Sequence, residues 1–262
     1  MLFGKTITCI IPAKGSSMRV SGKNLRLCDG VPLVAHAYRL AVQSEIFDDI
    51  IVSTESEKVY DAVHKMGYSS IYRRPAELAN SQSSVWDAVQ HAVQWVAGRY
   101  RNTYFVSDFV CLLHPTSPCV TIPTVHNVMK CFVASGIDAI TTCTKTSPYT
   151  FKGGQTPDFS RALSSDMDTP YYSLNNAINA VTWKVALEGT NPWTTNIECA
   201  VIPFDEAIDI DTERDIYVAE AILQWRHQNA KVAQSLTRPL HGVRIRNDAG
   251  EGRDVGPVPE AD

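Results

Sequence analysis

The 262-residue sequence has no uninterrupted apolar run near the roughly 20 residues that a membrane-spanning helix needs. Its one apolar stretch at the start, within MLFGKTITCIIPAKG, ends at a proline and a lysine and lacks the layout of a signal peptide. Paired metal-type cysteines are also missing. The seven cysteines (9, 28, 111, 119, 131, 143 and 199) are scattered, with no Cys-X-X-Cys and an odd total. That argues against a disulfide or zinc framework and for the reduced thiols of a cytoplasmic protein. Blocks of basic residues are absent and the formal net charge is −4, which argues against a general nucleic-acid binder. A local basic pocket for a small polyanion stays open. What is present, 44% hydrophobic and 20% charged residues, suits a globular chain with one large core, or one domain with an inserted lobe.

Strand-like and helix-like stretches alternate. Thr6–Ile11 is a continuous run rich in β-branched residues, as expected of a strand buried on both faces. Pro32–Ser44 carries apolar residues at helical spacing, Asp49–Ser53 reads as a second buried strand, and Glu57–Met66 as a helix closed by Gly67. Ser69–Tyr72 is a candidate third strand, Ser83–Ala97 a serine-capped helix, and Phe109–Leu113 another strand running into HPTSP. Thr124–Ser135 then reads as a helix and Ala139–Thr144 as a strand. The rhythm predicts an α/β fold: a mostly parallel twisted sheet with helices on both faces, Rossmann-like in its alternation. Ligands in such folds gather beyond the carboxyl ends of the strands. Loops 12–24, 73–84 and 114–118 leave those ends and are expected to converge. Residues 145–204, rich in Thr, Pro, Asn, Tyr and Trp, break the rhythm and read as an inserted β-rich lobe, a candidate dimer arm. The α/β domain is then 1–144 with 205–235, where a last helix falls near 212–228. The aperiodic tail, 236–262, reads as disordered.

Four segments carry candidate chemistry. IIPAKGSSMRVSGKN (10–24) leaves the first strand with Lys14, Arg19 and Lys23 to meet phosphate charge, and backbone amides around Gly15–Ser17 suited to an anion-binding concavity. It is not a Walker A loop: six residues separate Gly15 from Gly22, and Asn24 stands where a magnesium-binding hydroxyl is needed. Nor does it match GxGxxG. In IDIDTERD, Asp209 and Asp211 alternate on a strand-like segment, which would set two carboxylates about 7 Å apart on one face, suitable for Mg²⁺ shared with phosphates. An acidic cap for the next helix would use the same residues. RRPAELANSQSS sets Arg73 and Arg74 ahead of a helix start, as an anion reader or as a plain surface turn. In LLHPTSP, His114 emerges where a buried strand ends, placed to meet a substrate or simply to bond backbone.

Taken together, in this order and spacing, these segments resemble the acylneuraminate cytidylyltransferase family, the CMP-sialic acid synthetase-like enzymes that activate sialic, pseudaminic, legionaminic and related ulosonic acids. The resemblance spans about residues 7–225. It implies CTP-dependent nucleotidyl transfer: a sugar hydroxyl attacks the α-phosphate and pyrophosphate leaves. It assigns nucleotide binding to Ala13, Lys14, Gly15, Ser16, Ser17, Lys23, Asn24, Arg74 and Ser83. Lys14, Lys23 and Asp211 would be catalytic, Asp209 and Asp211 would hold Mg²⁺, and His114, Tyr172 and Asn175 would face the acceptor. The partners implied are CTP, a small acidic acceptor and a second copy in a homodimer, with neither nucleic acid nor membrane.

Departures from the family pattern cluster on the acceptor side. His114 replaces a glutamine before Pro-Thr-Ser, NNAIN (175–179) stands for Asn-Gly-Ala-Ile-Tyr, and SDMDTPYY brings Asp166 and Asp168 where basic and glutamine residues are usual. An acidic pair there is a poor host for a sugar carboxylate. The expected acceptor is therefore not an ordinary sialic acid but another ulosonic acid, or an acid or phosphonate of a secondary-metabolite pathway. Two other classes share these features: a DxD glycosyltransferase using a nucleotide sugar, and a non-catalytic nucleotide-binding module.

Overall fold

The computed structural model describes residues 2–17, 20–68, 70–80, 82–99, 107–146, 171–229 and 242–244. Along them run β1 (Ile7–Pro12), β2 (Leu27–Cys28), β3 (Val31–Pro32), α1 (Leu33–Ser44), β4 (Asp49–Thr54), α2 (Glu57–Lys65), β5 (Ile71–Arg73), α3 (Val85–Arg99), β6 (Phe109–Leu113), α4 (Ile122–Ser135), β7 (Ala139–Thr146), β8 (Tyr171–Thr182), α5 (Trp183–Glu188), β9 (Ile197–Val201), α6 (Glu213–Gln228) and β10 (Gly242–Arg244). β1 lies deep in the main sheet, parallel to β4 on one side and β6 on the other. Ile7, Cys9 and Ile11 enter one core and Ile10 the opposite one, which is why the run is apolar without alternation.

The main sheet has the order β10-β9-β7-β8-β6-β1-β4-β5. β5 is parallel to β4 and β9 to β7, while β8 runs antiparallel between β6 and β7, and β10 antiparallel to β9. Helices cover both faces as the alternation predicts. Val34 and Ala37 of α1, Val59 and Val63 of α2, and Val125, Met129 and Phe132 of α4 fill one core. Val89, Val93 and Val96 of α3 with Val185 and Ala186 of α5 fill the other. A third cluster joins Ile216 and Ala219 of α6 to Val20, Cys119 and Ile210, tying the last helix to the loops beyond the strand ends.

Local chemistry sets the helix bounds. Ser56 Oγ accepts from the Val59 amide to start α2. Thr121 caps α4, which has proline in its first turn and stops at Gly136 in the left-handed region (φ 67°). Thr212 and Asp215 form a capping box for α6.

Three expectations change. Of the segment 145–204, read as an inserted lobe, the strands β8 and β9 belong to the main sheet. The segment's polar composition belongs to the first half of β8, whereas Ala177–Val181 is buried between β6 and β7. Within this segment 147–170, including Asp166 and Asp168, lies outside the described residues. Second, 207–211 is unpaired chain and not a strand, held instead by the Ile210 amide on the Thr116 carbonyl (2.8 Å). Third, Gly242–Arg244 of the aperiodic tail is a strand on β9, a backbone pairing that side-chain periodicity does not announce.

Phe132 is fully buried beneath the sheet, edge-on to Phe109. Phe132→Ala should lower unfolding stability by about 3–5 kcal/mol, read as a shifted urea midpoint with unchanged slope.

Candidate functional site

The loop after β1 is fixed at several atoms. Ala13 is buried and its amide donates to the Ser53 carbonyl (2.9 Å), so it extends the sheet by one bond and offers no side chain to a ligand. The Lys14 carbonyl accepts from Asn24 Nδ2 (2.7 Å) and leaves the lysine side chain exposed. The Gly15 amide donates to Glu55 Oε1 (2.7 Å). A Cβ on Gly15 would stand 2.6 Å from Ser56 Oγ and overlap that side chain, so only glycine passes here. Ser16 Oγ lies 3.4 Å from the Ala79 carbonyl, at the edge of hydrogen bonding, and Ser17 is half-buried. Met18 and Arg19 lie outside the described residues. Gly22, left-handed at φ 61°, then turns the chain into a short 3₁₀ segment, Lys23–Leu25.

Arg74 is 6% exposed and pairs through its guanidinium with Glu55 Oε2 (2.6 Å). Its amide donates to the Thr54 carbonyl (2.9 Å), and its buried Nε has no partner among the described residues. Burial pushes the Glu55 carboxyl up, but the hydrogen bonds from Arg74 and Gly15 outweigh it and hold the group below its ordinary value. Glu55 thus joins the phosphate-type loop to the arginine segment. Sequence reading missed it; the available signal was an acidic residue just past the carboxyl end of a buried strand. Ser83 closes the next turn, its amide on Asn80 Oδ1 and its hydroxyl on the Glu77 carbonyl (both 2.8 Å). Arg73 pairs at the surface with Glu57.

Lys23 reaches across the fold. Its ammonium donates to the Ile210 carbonyl (2.6 Å) and to Asp211 Oδ1 (3.0 Å), and its side chain is only 12% exposed. Thr116 of the His114–Ser117 turn bonds the Asp209 side chain, and its carbonyl takes the Ile210 amide. Partial desolvation, then the neighbouring Asp211 charge, push the Asp209 carboxyl up, although Asp209 as a residue opens to solvent. Asp215 occupies itself with capping, its Oδ2 taking the amides of Asp211 (2.9 Å) and Thr212 (2.6 Å). The metal and capping readings of the acidic run therefore separate by residue: Asp215 with Thr212 forms the cap, while Asp209 and Asp211 face Lys23 and Thr116. Asp209, its carboxyl pushed up by burial, thus stands beside a second carboxylate that is already paired with an ammonium. Among the described residues no group of three or more acidic, His or Cys side chains that could hold a metal ion is found.

The far side of the sheet edge carries, among the described residues, His114, Asn175 and Tyr172. His114, one residue past β6, lies 3.3 Å through Nε2 from Asn179 Nδ2, and burial pulls its pKa down to about 4. Asn175 Oδ1 accepts from the Thr142 hydroxyl (2.6 Å) and the Ala177 amide (3.1 Å), leaving its buried Nδ2 without a partner among the described residues. Tyr172 is half-buried at the start of β8, across from Lys145. The structure therefore links loop 12–24 to the turn before α3, to 114–118 and to 209–211, as the parallel-sheet argument expects. It turns Ala13, Asn24 and Ser83 toward holding the loops.

Comparison with known proteins bears on this arrangement. The family profile described as cytidylyltransferase matches residues 8–166. The chain is 28% identical over 239 residues to the CMP-N,N'-diacetyllegionaminic acid synthase of Legionella pneumophila, covering 85% of this chain and 98% of that one. It is 26% identical over 232 residues to the pseudaminic acid cytidylyltransferase of Campylobacter jejuni, with coverage of 85% and 98%. Among solved structures, a CMP:2-keto-3-deoxy-manno-octonic acid synthetase complexed with CTP superposes with a TM-score of 0.63 at 16% identity, over 84% of this chain and 99% of that one, a likeness of fold.

The Glu55–Arg74 pair generates a pH test. Because the native pKa of Glu55 is lowered, its stabilisation is complete above the ordinary value of 4.5 and is lost as pH falls through the native value. Glu55→Gln should cost about 3 kcal/mol at neutral pH, because it strands a buried guanidinium. The gap to wild type should close in acid, as urea unfolding across pH would show.

Proposed function

The chain belongs to the cytidylyltransferase family, and from that premise we propose that it transfers CMP from CTP to a hydroxyl of an acidic sugar of the ulosonic-acid class, releasing pyrophosphate. The observation that carries the reading is the Lys23 ammonium, which joins the loop after β1 to the Asp209/Asp211 segment at the carboxyl edge of the sheet. Similarity over most of the chain to a CMP-N,N'-diacetyllegionaminic acid synthase and to a pseudaminic acid cytidylyltransferase supports an acidic sugar as the acceptor.

The chemistry is an in-line displacement. The acceptor oxygen forms a bond to the α-phosphorus, the bond from that phosphorus to the bridging oxygen breaks, and pyrophosphate departs with the electron pair. Lys14, exposed at the loop, and Lys23, beside Asp211, supply positive charge where phosphate charge gathers. Gly15 lets the backbone come close, and Glu55, Arg74 and Asn24 hold that backbone still before nucleotide arrives. Asp209 and Asp211 would hold Mg²⁺, which when bound neutralises charge on the phosphates. Asp211 is already committed to Lys23, so its first role is to place that ammonium and the metal rather than to take a proton. Seven free cysteines support a reducing compartment, the cytoplasm. Among the described residues no helix is long and apolar enough to cross a membrane.

Pyrophosphate release should be seen with CTP and a legionaminic- or pseudaminic-type acid, and not with ATP, GTP or UTP. Equal use of all four nucleotides, or release indifferent to the acid, would overturn the assignment. Lys23→Ala should cut turnover by roughly a hundredfold or more with an unchanged circular dichroism spectrum. Asp211→Asn should cripple the Mg²⁺-dependent rate, and unaltered metal dependence would leave Asp211 only a partner of Lys23. Gly15→Ala, which collides with Ser56, should weaken CTP binding far more than it lowers stability, by calorimetry against thermal unfolding.

A further inference from the structure

Asn179 is 6% exposed on β8, and its surroundings fix which end of its amide is which. Its nitrogen lies 3.2 Å from the Asn176 carbonyl, a group that only accepts, and its oxygen lies 2.8 Å from the Thr141 hydroxyl. Turning the amide over would press oxygen against the Asn176 carbonyl with no proton between them. Asn176 is held in the left-handed region (φ 53°), where β8 breaks its register against Thr141 and Cys143, so that carbonyl belongs to a bulge built into the strand. The same Asn179 nitrogen is 3.3 Å from His114 Nε2. A donor facing Nε2 needs a lone pair there, so the proton of the neutral ring sits on Nδ1. Among the described residues no group bonds Nδ1, and the ring stands just past β6.

We infer that Asn179, clamped by Thr141, is a positioning residue that locks His114 as the neutral Nδ1–H tautomer, so that His114 recognises the acceptor by donating a hydrogen bond to one of its oxygens. The identity of that acceptor rests on the proposed function; the tautomer does not. With the Nε2 lone pair engaged by Asn179 and Nδ1 carrying its proton, His114 has no basic nitrogen to offer the attacking hydroxyl. It reads shape and an oxygen, in the manner of an amide, and a glutamine can replace it there with its oxygen toward Asn179 and its nitrogen toward the substrate.

The test begins with the full-length protein labelled with ¹⁵N in its seven histidines, recorded without substrate by two-bond proton–nitrogen correlation, His114 being assigned as the signal lost in His114→Gln. A protonated Nδ1 and bare Nε2 are expected; a proton on Nε2, or an imidazolium at neutral pH, overturns the inference. Asn179→Asp, which replaces the donor by an acceptor, should move the proton to Nε2 and raise KM for the acid by roughly ten- to a hundredfold, with KM for CTP unchanged. Equal losses toward both substrates with the tautomer intact would make Asn179 merely structural. Should that variant fail to fold, the near-isosteric Thr141→Val releases the same clamp and should shift KM in the same sense. His114→Gln should keep KM for the acid within about threefold while His114→Leu loses it, and a Gln variant as poor as Leu would also overturn the proposal. Because the spectrum needs no substrate, a wild type that releases no pyrophosphate would count against the proposed function alone.

Discussion

The Lys23 ammonium is the contact on which the rest of the site depends. It lies between the Ile210 carbonyl and the Asp211 carboxylate, joining a loop near the start of the chain to a segment almost at the end of the fold. At 12% side-chain exposure it is shielded enough for the charge pairing to matter, and it replaces some of its lost hydration with two oxygens. Remove it and three things loosen together: the carboxylate pair, the turn carrying Thr116, which holds Ile210, and the loop whose Asn24 clamps Lys14. The third hydrophobic cluster, with Val20, Ile210 and Ile216, lies behind this contact and makes the crossing rigid.

Much of this was legible in the residues. Buried parallel strands read as unbroken apolar runs, so β1, β4 and β6 announced themselves, and Gly67 marked the end of α2 by chemistry that works locally. The convergence of loops also followed, because a parallel sheet gathers its outgoing loops at one edge. What failed was whatever depends on a partner far along the chain. The second half of β8 is as apolar as any core strand, but its polar first half made the whole stretch look like an appendage. The Asp209–Asp211 alternation mimics a strand, yet its only backbone tie of this kind is to Thr116. Glu55 gave no periodic signal at all, since its meaning lies in Arg74 and Gly15.

The two sides of the site differ in how they use charge. On the nucleotide side ammonium, guanidinium and carboxylate groups are matched in pairs, Lys23 with Asp211 and Arg74 with Glu55. That network sets backbone positions before any ligand arrives. On the other side Asn175, Asn179, Thr141, Thr142 and His114 form neutral hydrogen bonds in which each amide has one allowed orientation. A charged wall attracts at distance and tolerates small errors; a neutral wall acts only at contact and rejects a misplaced oxygen. Charged pairs and neutral amides thus stand on neighbouring strand ends and act by different physics.

The bulge in β8 has a consequence for how such a protein changes over time. The strand enters from the carboxyl edge as acceptor wall and continues as core, with Asn176 between the two parts. In an unbroken strand, inserting or deleting one residue at the wall would turn every side chain beyond it to the wrong face. Here the irregularity takes up the change, and Ile178–Thr182 keep their pairing with β6 whatever precedes them. The hinge in register lets the recognition half of the strand drift while the supporting half stays under constraint, so one fold can be retuned to new acids without being rebuilt.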